Sequence, residues 1–133
     1  MATFPLKVMT IDHCFFEGDV DRIVVRTSQG DVGILPNHVP YIAALGIGAL
    51  TIIQNGEKRI AAIAGGFVDV TKEGTTILAG TCEWADEIDV NRANSAAERA
   101  RAAIQKKESE REYEVAQVKL KKALNRIRIA GDK

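Results

Sequence analysis

A chain of 133 residues with 18 basic and 18 acidic side chains, and so no net charge, is long enough for one good core, or for one core and an appendage. Neutrality disfavours a nucleic-acid partner. The longest apolar runs fall far short of a bilayer span and no signal-peptide pattern opens the sequence, which leads one to expect a cytosolic protein, or a soluble one docked to something larger.

The charge balance hides an asymmetry. Residues 1–84 carry nine acids and six bases, whereas residues 85–133 carry nine acids and twelve bases. Ten of the eleven glycines and all three prolines precede residue 87. A turn-rich chain is thus joined to one able to run as helix, with the boundary placed between residues 84 and 85. Cys14 and Cys82 are too few for a disulfide framework and read as small, buried, reduced side chains. No CxxC or HxxxH spacing unites them with His13 and His38, so no metal site is expected.

In chain order, Leu6, Val8 and Ile11 open a strand, with Phe15 and Phe16 nearby, and Val20 to Thr27 is a β-branched run ending at the turn Ser28-Gln29-Gly30. Gly33 to Pro40 holds two prolines in five residues and reads as an ordered surface loop. Leu50–Gln54 and Glu57–Ile63 flank Asn55-Gly56, the strongest hairpin signal in the chain. Gly66–Thr71 and Thr75–Ala79 flank a second turn, Lys72-Glu73-Gly74. Gly46-Ile47-Gly48 and Gly65-Gly66 lie between apolar segments and suit bends or close packing better than phosphate cradles. Short strands at this spacing predict a sandwich or barrel.

Residues 86–105 read as a helix capped by Asp86 or Asp89. Gln105 to Glu110 is polar and forms the bend, and Glu112 to Ala130 is a second helix antiparallel to the first. Its expected seam is Tyr113, Ala116, Leu120, Ala123, Ile127 and Ala130, widened by Leu124. A buried alanine methyl contributes about 0.8 kcal/mol against about 1.5–3 for a leucine. The hairpin is therefore expected to have a small margin that a ligand could shift. A static alanine-rich hairpin is the plainer alternative.

No GxxxxGK[ST], GxGxxG or GxSxG is present, and no catalytic constellation is suggested. One cluster remains. Asp89, Arg92, Ala96 and Arg99 share a helix face, as do Lys122 and Arg126. Folding the helices back about Ser109 brings Arg92 level with Arg126 and Ala96 level with Lys122. Converging cations suit an anion with several phosphates. They equally suit a capping aspartate beside solvated arginines, and spacing does not separate the two.

Five stretches carry a family resemblance: Phe16-Glu17-Gly18, Gly33-Ile34-Leu35-Pro36-Asn37-His38-Val39-Pro40, Gly65-Gly66-Phe67-Val68-Asp69-Val70, Thr75-Thr76-Ile77-Leu78-Ala79 and Glu87-Ile88-Asp89-Val90-Asn91-Arg92-Ala93. Over nearly its whole length the chain resembles the ε subunit of bacterial F-type ATP synthases. The resemblance implies an α+β protein, an N-terminal β-sandwich of about ten strands (residues 1–84, docking on the rotor) followed by a C-terminal helical hairpin (85–133, regulatory and nucleotide-sensing). It implies a non-catalytic subunit of the central stalk, coupling the catalytic head to the c-ring. Its partners would be the γ subunit, the c-ring and the α and β subunits, with contact to the membrane only through the complex, at its cytoplasmic face. It implies docking through Asp31, Pro36, His38, Pro40, Tyr41 and Ile42, and inhibition of hydrolysis through Lys119, Lys121, Lys122, Arg126 and Arg128 against the β subunits. Ile88 to Ala93 matches the family's [IL]DxxRA motif. The resemblance therefore implies ATP, with or without Mg2+, as a regulatory ligand of Glu83, Ile88, Asp89, Arg92, Ala93, Arg99, Lys122 and Arg126. Lys122 departs from the arginine of the better ATP binders and loses its bidentate fork. Two other classes remain: a β-sandwich adaptor whose basic helical tail binds an acidic partner, and a small-molecule enzyme, the latter disfavoured by the missing catalytic groups.

Overall fold

Apolar residues alternate along the first 84 positions, and strands form where they do. The computed structural model describes residues 2–131. Its first compact unit ends at Trp84 and its second begins at Ala85. The first holds seven strands: β1 (Phe4–Met9), β2 (Cys14–Val20), β3 (Arg22–Thr27), β4 (Gly30–Ile34), β5 (Tyr41–Gln54), β6 (Glu57–Thr71) and β7 (Gly74–Trp84). They form one sheet in the order β2-β1-β7-β6-β5-β3-β4, antiparallel except where β1 meets β7. Asn55 and Gly56, at φ 54° and 78°, make the β5–β6 turn. Both positive values are those a type I′ hairpin needs.

The sheet folds over on itself along a line of glycines. β5 pairs with β6 as Ala44↔Phe67 and then Ile47↔Ala64, and β6 with β7 as Ala64↔Thr81 and then Gly66↔Ala79. The ladder thus lapses where Gly46, Gly65 and Gly80 come level. Residues without a Cβ let three strands bend together. Past the bend the two ends of each long strand lie in different layers. Gln54 Nε2 on β5 donates to the Asp19 carbonyl on β2 at 2.9 Å, although three strands separate them in the sheet. Phe15 of β2 stacks on Trp84 with ring centroids 4.4 Å apart. Val8, Ile23, Leu50, Ile52, Val68 and Ile77 meet in one core. The sandwich of about ten strands is therefore seven continuous ones, of which β5, β6 and β7 each serve both layers.

Three local expectations give way. Ile11 lies in an exposed turn rather than a strand. The run Val20–Thr27 is broken at Asp21, because the chain there leaves the β1 partner of β2 for the β5 partner of β3. Asp21 secures the crossing, its N–H donating to the Ile53 carbonyl and its carboxylate accepting from Gly56 N–H. The cysteines do not share one environment, since Cys14 is exposed and Cys82 half-buried. Burial, with a smaller push from the Glu83 charge, raises the Cys82 thiol from 9.0 to about 12. The folded chain then holds this proton where the unfolded chain releases it, so Cys82 costs stability as pH rises from about 9 to 12. Iodoacetamide at pH 8 should label Cys14 and largely spare Cys82, since thiolate is the nucleophile. Mass spectrometry reads this directly, and equal labelling would contradict the burial of Cys82.

The second unit is a 3-10 turn (Ala85–Glu87), α1 (Val90–Lys106) and α2 (Glu110–Gly131). Lys107, at φ 42°, closes α1 with its N–H on the Ala103 carbonyl. Ser109 Oγ accepts from Glu112 N–H at 3.1 Å and starts α2. With three residues between them the helices pack as an antiparallel hairpin. The buried line on α1 is Ala93, Ala97 and Ala100. On α2 it is Ala116, Ala123 and Ala130, while the expected Tyr113, Leu120 and Ile127 are half-buried and Leu124 is exposed. Asn125 and Ile129 are also buried, roughly 200° round the helix from Ala123. The 3-10 turn packs on α2 as well, so a single heptad seam does not describe what α2 buries.

Candidate functional site

Between α1 and α2 runs a groove of about 780 Å³, within the roughly 300–1,000 Å³ of small-molecule sites. Alanines make its floor: Ala96, Ala100 and Ala103 from α1, Ala116 and Ala123 from α2. Small side chains at i, i+4 and i+7 hold the helices close yet leave room above the methyls. Cations make its rim, with Arg99 on α1 facing Lys119, Lys122 and Arg126 on α2 and Arg111 at the turn end. Among the described residues Glu112 is the one carboxylate lining it.

The structure sorts the sequence candidates. Arg99, Lys122 and Arg126 line the groove together, as does Ala96. Asp89 and Arg92 do not. On α1 the lining stops at Ala96, one helical turn from Arg92, while on α2 it continues to Arg126. The Asp89 carboxylate is instead the N-cap of α1, accepting from Arg92 N–H at 3.0 Å. Asp86 sits in the preceding 3-10 turn. Ile88 and Ala93 are buried, and Glu83 is a half-buried residue of β7 opposite Ala62 in the first unit. Among the basic residues of α2, Lys119 joins the groove while Lys121 and Arg128 stand outside it, Arg128 donating to Asn125 Oδ1 at 2.9 Å. Replacing Asp89 with alanine should destabilise the hairpin by about 0.5–2 kcal/mol through loss of the cap. Loss of helical circular dichroism on heating reads this out, and Asp89→Ser should retain most of the stability. An alanine variant melting like the parent would refute the capping role.

The loop after β4 presents Leu35 and Val39 at 58% and 70% exposure, and the start of β5 presents Ile42 at 72%. Of the residues expected to dock, Ile42 is the large exposed apolar one. Asp31 is gripped by Arg26 (Nε–Oδ1 2.7 Å, Nη2–Oδ2 3.3 Å). His38 and Tyr41 meet ring to ring with centroids 6.0 Å apart. Pro36 is half-buried and Pro40 exposed.

A second apolar feature escapes sequence reading. Ala44, Phe67, Leu78, Met9 and Cys14 are successive cross-strand partners on β5, β6, β7, β1 and β2. Direct partners share a face of the sheet, so they form one row. The next row inward, Val68, Ile77 and Val8, is 0% exposed, whereas Phe67 and Leu78 are 43% and 36% exposed. The signal is the alternation that leaves large apolar residues on the outer face. Seeing the row requires the register.

Among the described residues no helix is long and apolar enough to cross a membrane. Residues 3–85 match the beta-sandwich domain of the ATP synthase Delta/Epsilon chain, and residues 86–131 its long alpha-helix domain. The ATP synthase epsilon chain of Caldanaerobacter subterraneus subsp. tengcongensis is 43% identical over 97% of this chain and 94% of its own length. That of Ruminococcus albus is 40% identical over the full length of both. Among solved structures, a chain of the Euglena gracilis mitochondrial ATP synthase, in an OSCP/F1/c-ring assembly, superposes with a TM-score of 0.84 at 26% identity, over 94% of this chain and 79% of that one.

Proposed function

The chain belongs to the ATP synthase delta/epsilon family, and from that membership we propose that it is the epsilon subunit of an F-type, proton-translocating ATP synthase. In this reading it is a non-catalytic part of the central stalk, at the cytoplasmic face of a bacterial membrane, held there by the complex rather than by a span of its own. The observation that carries the proposal is the match of both units, in order, to both family domains. The apolar row on the outer sheet face and the exposed Leu35, Val39 and Ile42 are the surface offered to γ and the c-ring. A tagged full-length chain purified from detergent-solubilised membranes should bring α, β, γ and c subunits with it. Recovery of the chain alone would refute the assignment.

The finer part of the proposal concerns control. The hairpin has an alanine floor and so a small margin of stability. Drawn out as one rod, residues 89–130 would reach about 63 Å at 1.5 Å per residue. Lys119, Lys121, Lys122, Arg126 and Arg128 would then lie toward its far end, available to acidic loops of the catalytic β subunits. ATP bound between the helices, on Arg99, Lys122 and Arg126, would favour the folded hairpin and withdraw the brake. In this reading Asp89, beside its capping bond, and Arg92 stand at the mouth of the groove as further ligands. Deleting residues 89–133 should leave an assembled complex whose ATP hydrolysis rises several-fold. Unchanged hydrolysis across ATP concentrations would show that the helices do not restrain it.

A further inference from the structure

We propose that Asn55 is a site of spontaneous deamidation which the fold holds dormant, and that Asp21 is the residue guarding it. Of the five asparagines in the chain, Asn55 alone precedes a glycine. Glycine brings no side chain to shield its own nitrogen and has the freest backbone, so an exposed Asn-Gly pair is where a side-chain amide is most readily lost. In that reaction the backbone nitrogen of Gly56 gives up its proton and attacks Cγ of Asn55. The new N–Cγ bond closes a five-membered succinimide. The Cγ–Nδ2 bond breaks, and Nδ2 leaves as ammonia with the proton that Gly56 lost. Water then opens the ring at one carbonyl or the other, giving aspartate or isoaspartate.

Asn55 and Gly56 are both exposed at the tip of the β5–β6 hairpin, so burial does not oppose the reaction. The opposition comes from hydrogen bonds that tie this tip to the end of β2 and its crossing to β3. Gly56 N–H donates to Asp21 Oδ2 at 3.1 Å. Asp21 N–H donates to the Ile53 carbonyl at 2.8 Å, and Gln54 Nε2 to the Asp19 carbonyl at 2.9 Å. The residues on either side of Asn55 are thereby held. To close the ring, the peptide between Asn55 and Gly56 has to swing toward Cγ, out of a turn whose φ values are 54° and 78°, and the bond to Asp21 has to break.

Asp21 acts on the chemistry as well as on the geometry. The nucleophile is the Gly56 nitrogen without its proton, which carries negative charge. A carboxylate 3.1 Å away accepts a hydrogen bond from the protonated nitrogen and repels the anion, and both effects keep the proton in place. The product would meet the same carboxylate, since a new acid at position 55 stands beside Asp21. Isoaspartate also adds a methylene to the backbone of a two-residue turn, and the length of that turn fixes the hairpin register. Strain there falls on β5 and β6, which pair from Gln54↔Glu57 to Tyr41↔Val70.

Incubation of the full-length chain at mildly alkaline pH, with mass spectrometry of the proteolytic peptide that holds Asn55, tests this. Conversion of amide to acid and chromatographic separation of the isoaspartyl form give the rate. A synthetic peptide covering residues 51–59 supplies the rate without the fold. The folded chain should deamidate at least roughly tenfold more slowly than the peptide, the weight of one charge-assisted hydrogen bond. Asp21→Ala removes both the bond and the charge and should recover most of that factor. Asp21→Asn is isosteric and keeps an accepting oxygen, and it should recover part of it. Thermal melting of each variant establishes that the sheet unit persists at the incubation temperature, and if Asp21→Ala does not persist, Asp21→Asn carries the test. A smaller difference between folded parent and peptide would overturn dormancy, and a parental rate in a folded Asp21 variant would overturn the guarding role.

Discussion

Phe67→Asp combined with Leu78→Asp should release the chain from its stalk partners while the sheet unit stays folded. The two residues are direct cross-strand partners, and their side chains stand on the outer face. Two carboxylates there cost the isolated chain about 1–3 kcal/mol, since like charges face each other across the strands and some apolar contact is lost, but water reaches and solvates both. In an interface they would lie at the centre of the apolar row, flanked by Ala44 and Met9, where an unpaired charge is expensive. Central apolar anchors are the positions where truncation alone costs about 2 kcal/mol or more. The pair should therefore lower affinity by about 3–4 kcal/mol, on the order of a hundred- to a thousandfold. Co-purification with γ and c subunits measures the loss, and a cooperative melting transition of the isolated variant, lowered but still above the assay temperature, separates it from unfolding. Undiminished assembly would move the docking surface elsewhere, with Leu35 and Val39 of the loop and Ile42 at the start of β5 next to test.

A second large effect is expected at the bend. Gly66 sits at φ 104°, and a Cβ there would overlap the Leu78 carbonyl oxygen, with the Leu78 carbonyl carbon at 2.8 Å and Ala79 Cα at 2.9 Å. All three are backbone atoms of the neighbouring strand and cannot swing aside. Gly66→Ala should cost roughly 2–6 kcal/mol, combining backbone strain and overpacking. A unit of this size has a total stability of about 4–13 kcal/mol, so much of it would go. The expected fall in melting temperature is more than about 10 °C. Gly33→Ala is the control, with nothing within 4 Å of its added methyl and no positive φ, and it should be near neutral. Similar melting of the two variants would show that the bend does not depend on the close approach of β6 and β7.

Asp89 illustrates how far local rules reach. An aspartate before a glycine- and proline-free run is a helix cap because capping depends on residues within one turn, and the structure places it so. Asn55-Gly56 is a hairpin for the same reason. Arg92 shows the limit. Its helix face was readable from spacing, but whether the groove extended far enough to include it depended on where two helices part company. Asn125 and Ile129 are buried off the heptad line, and α2 also meets a second element, the Ala85–Glu87 turn, which the period of one helix does not reveal.

The sequence by itself determined the division at residue 84, the turns, the two helices and the cations on their faces. Each of these follows from residues close in the chain, through backbone preference and the periods of strand and helix. Only the assembled chain shows that three glycines spread over thirty-four residues form one bend, that Ala44, Phe67, Leu78, Met9 and Cys14 make one outward row, and that the rim of the groove runs from Arg126 to Arg111. Those are matters of register between segments distant in sequence. Register is settled by which pairing buries Val8, Val68 and Ile77 together, a comparison no single segment contains.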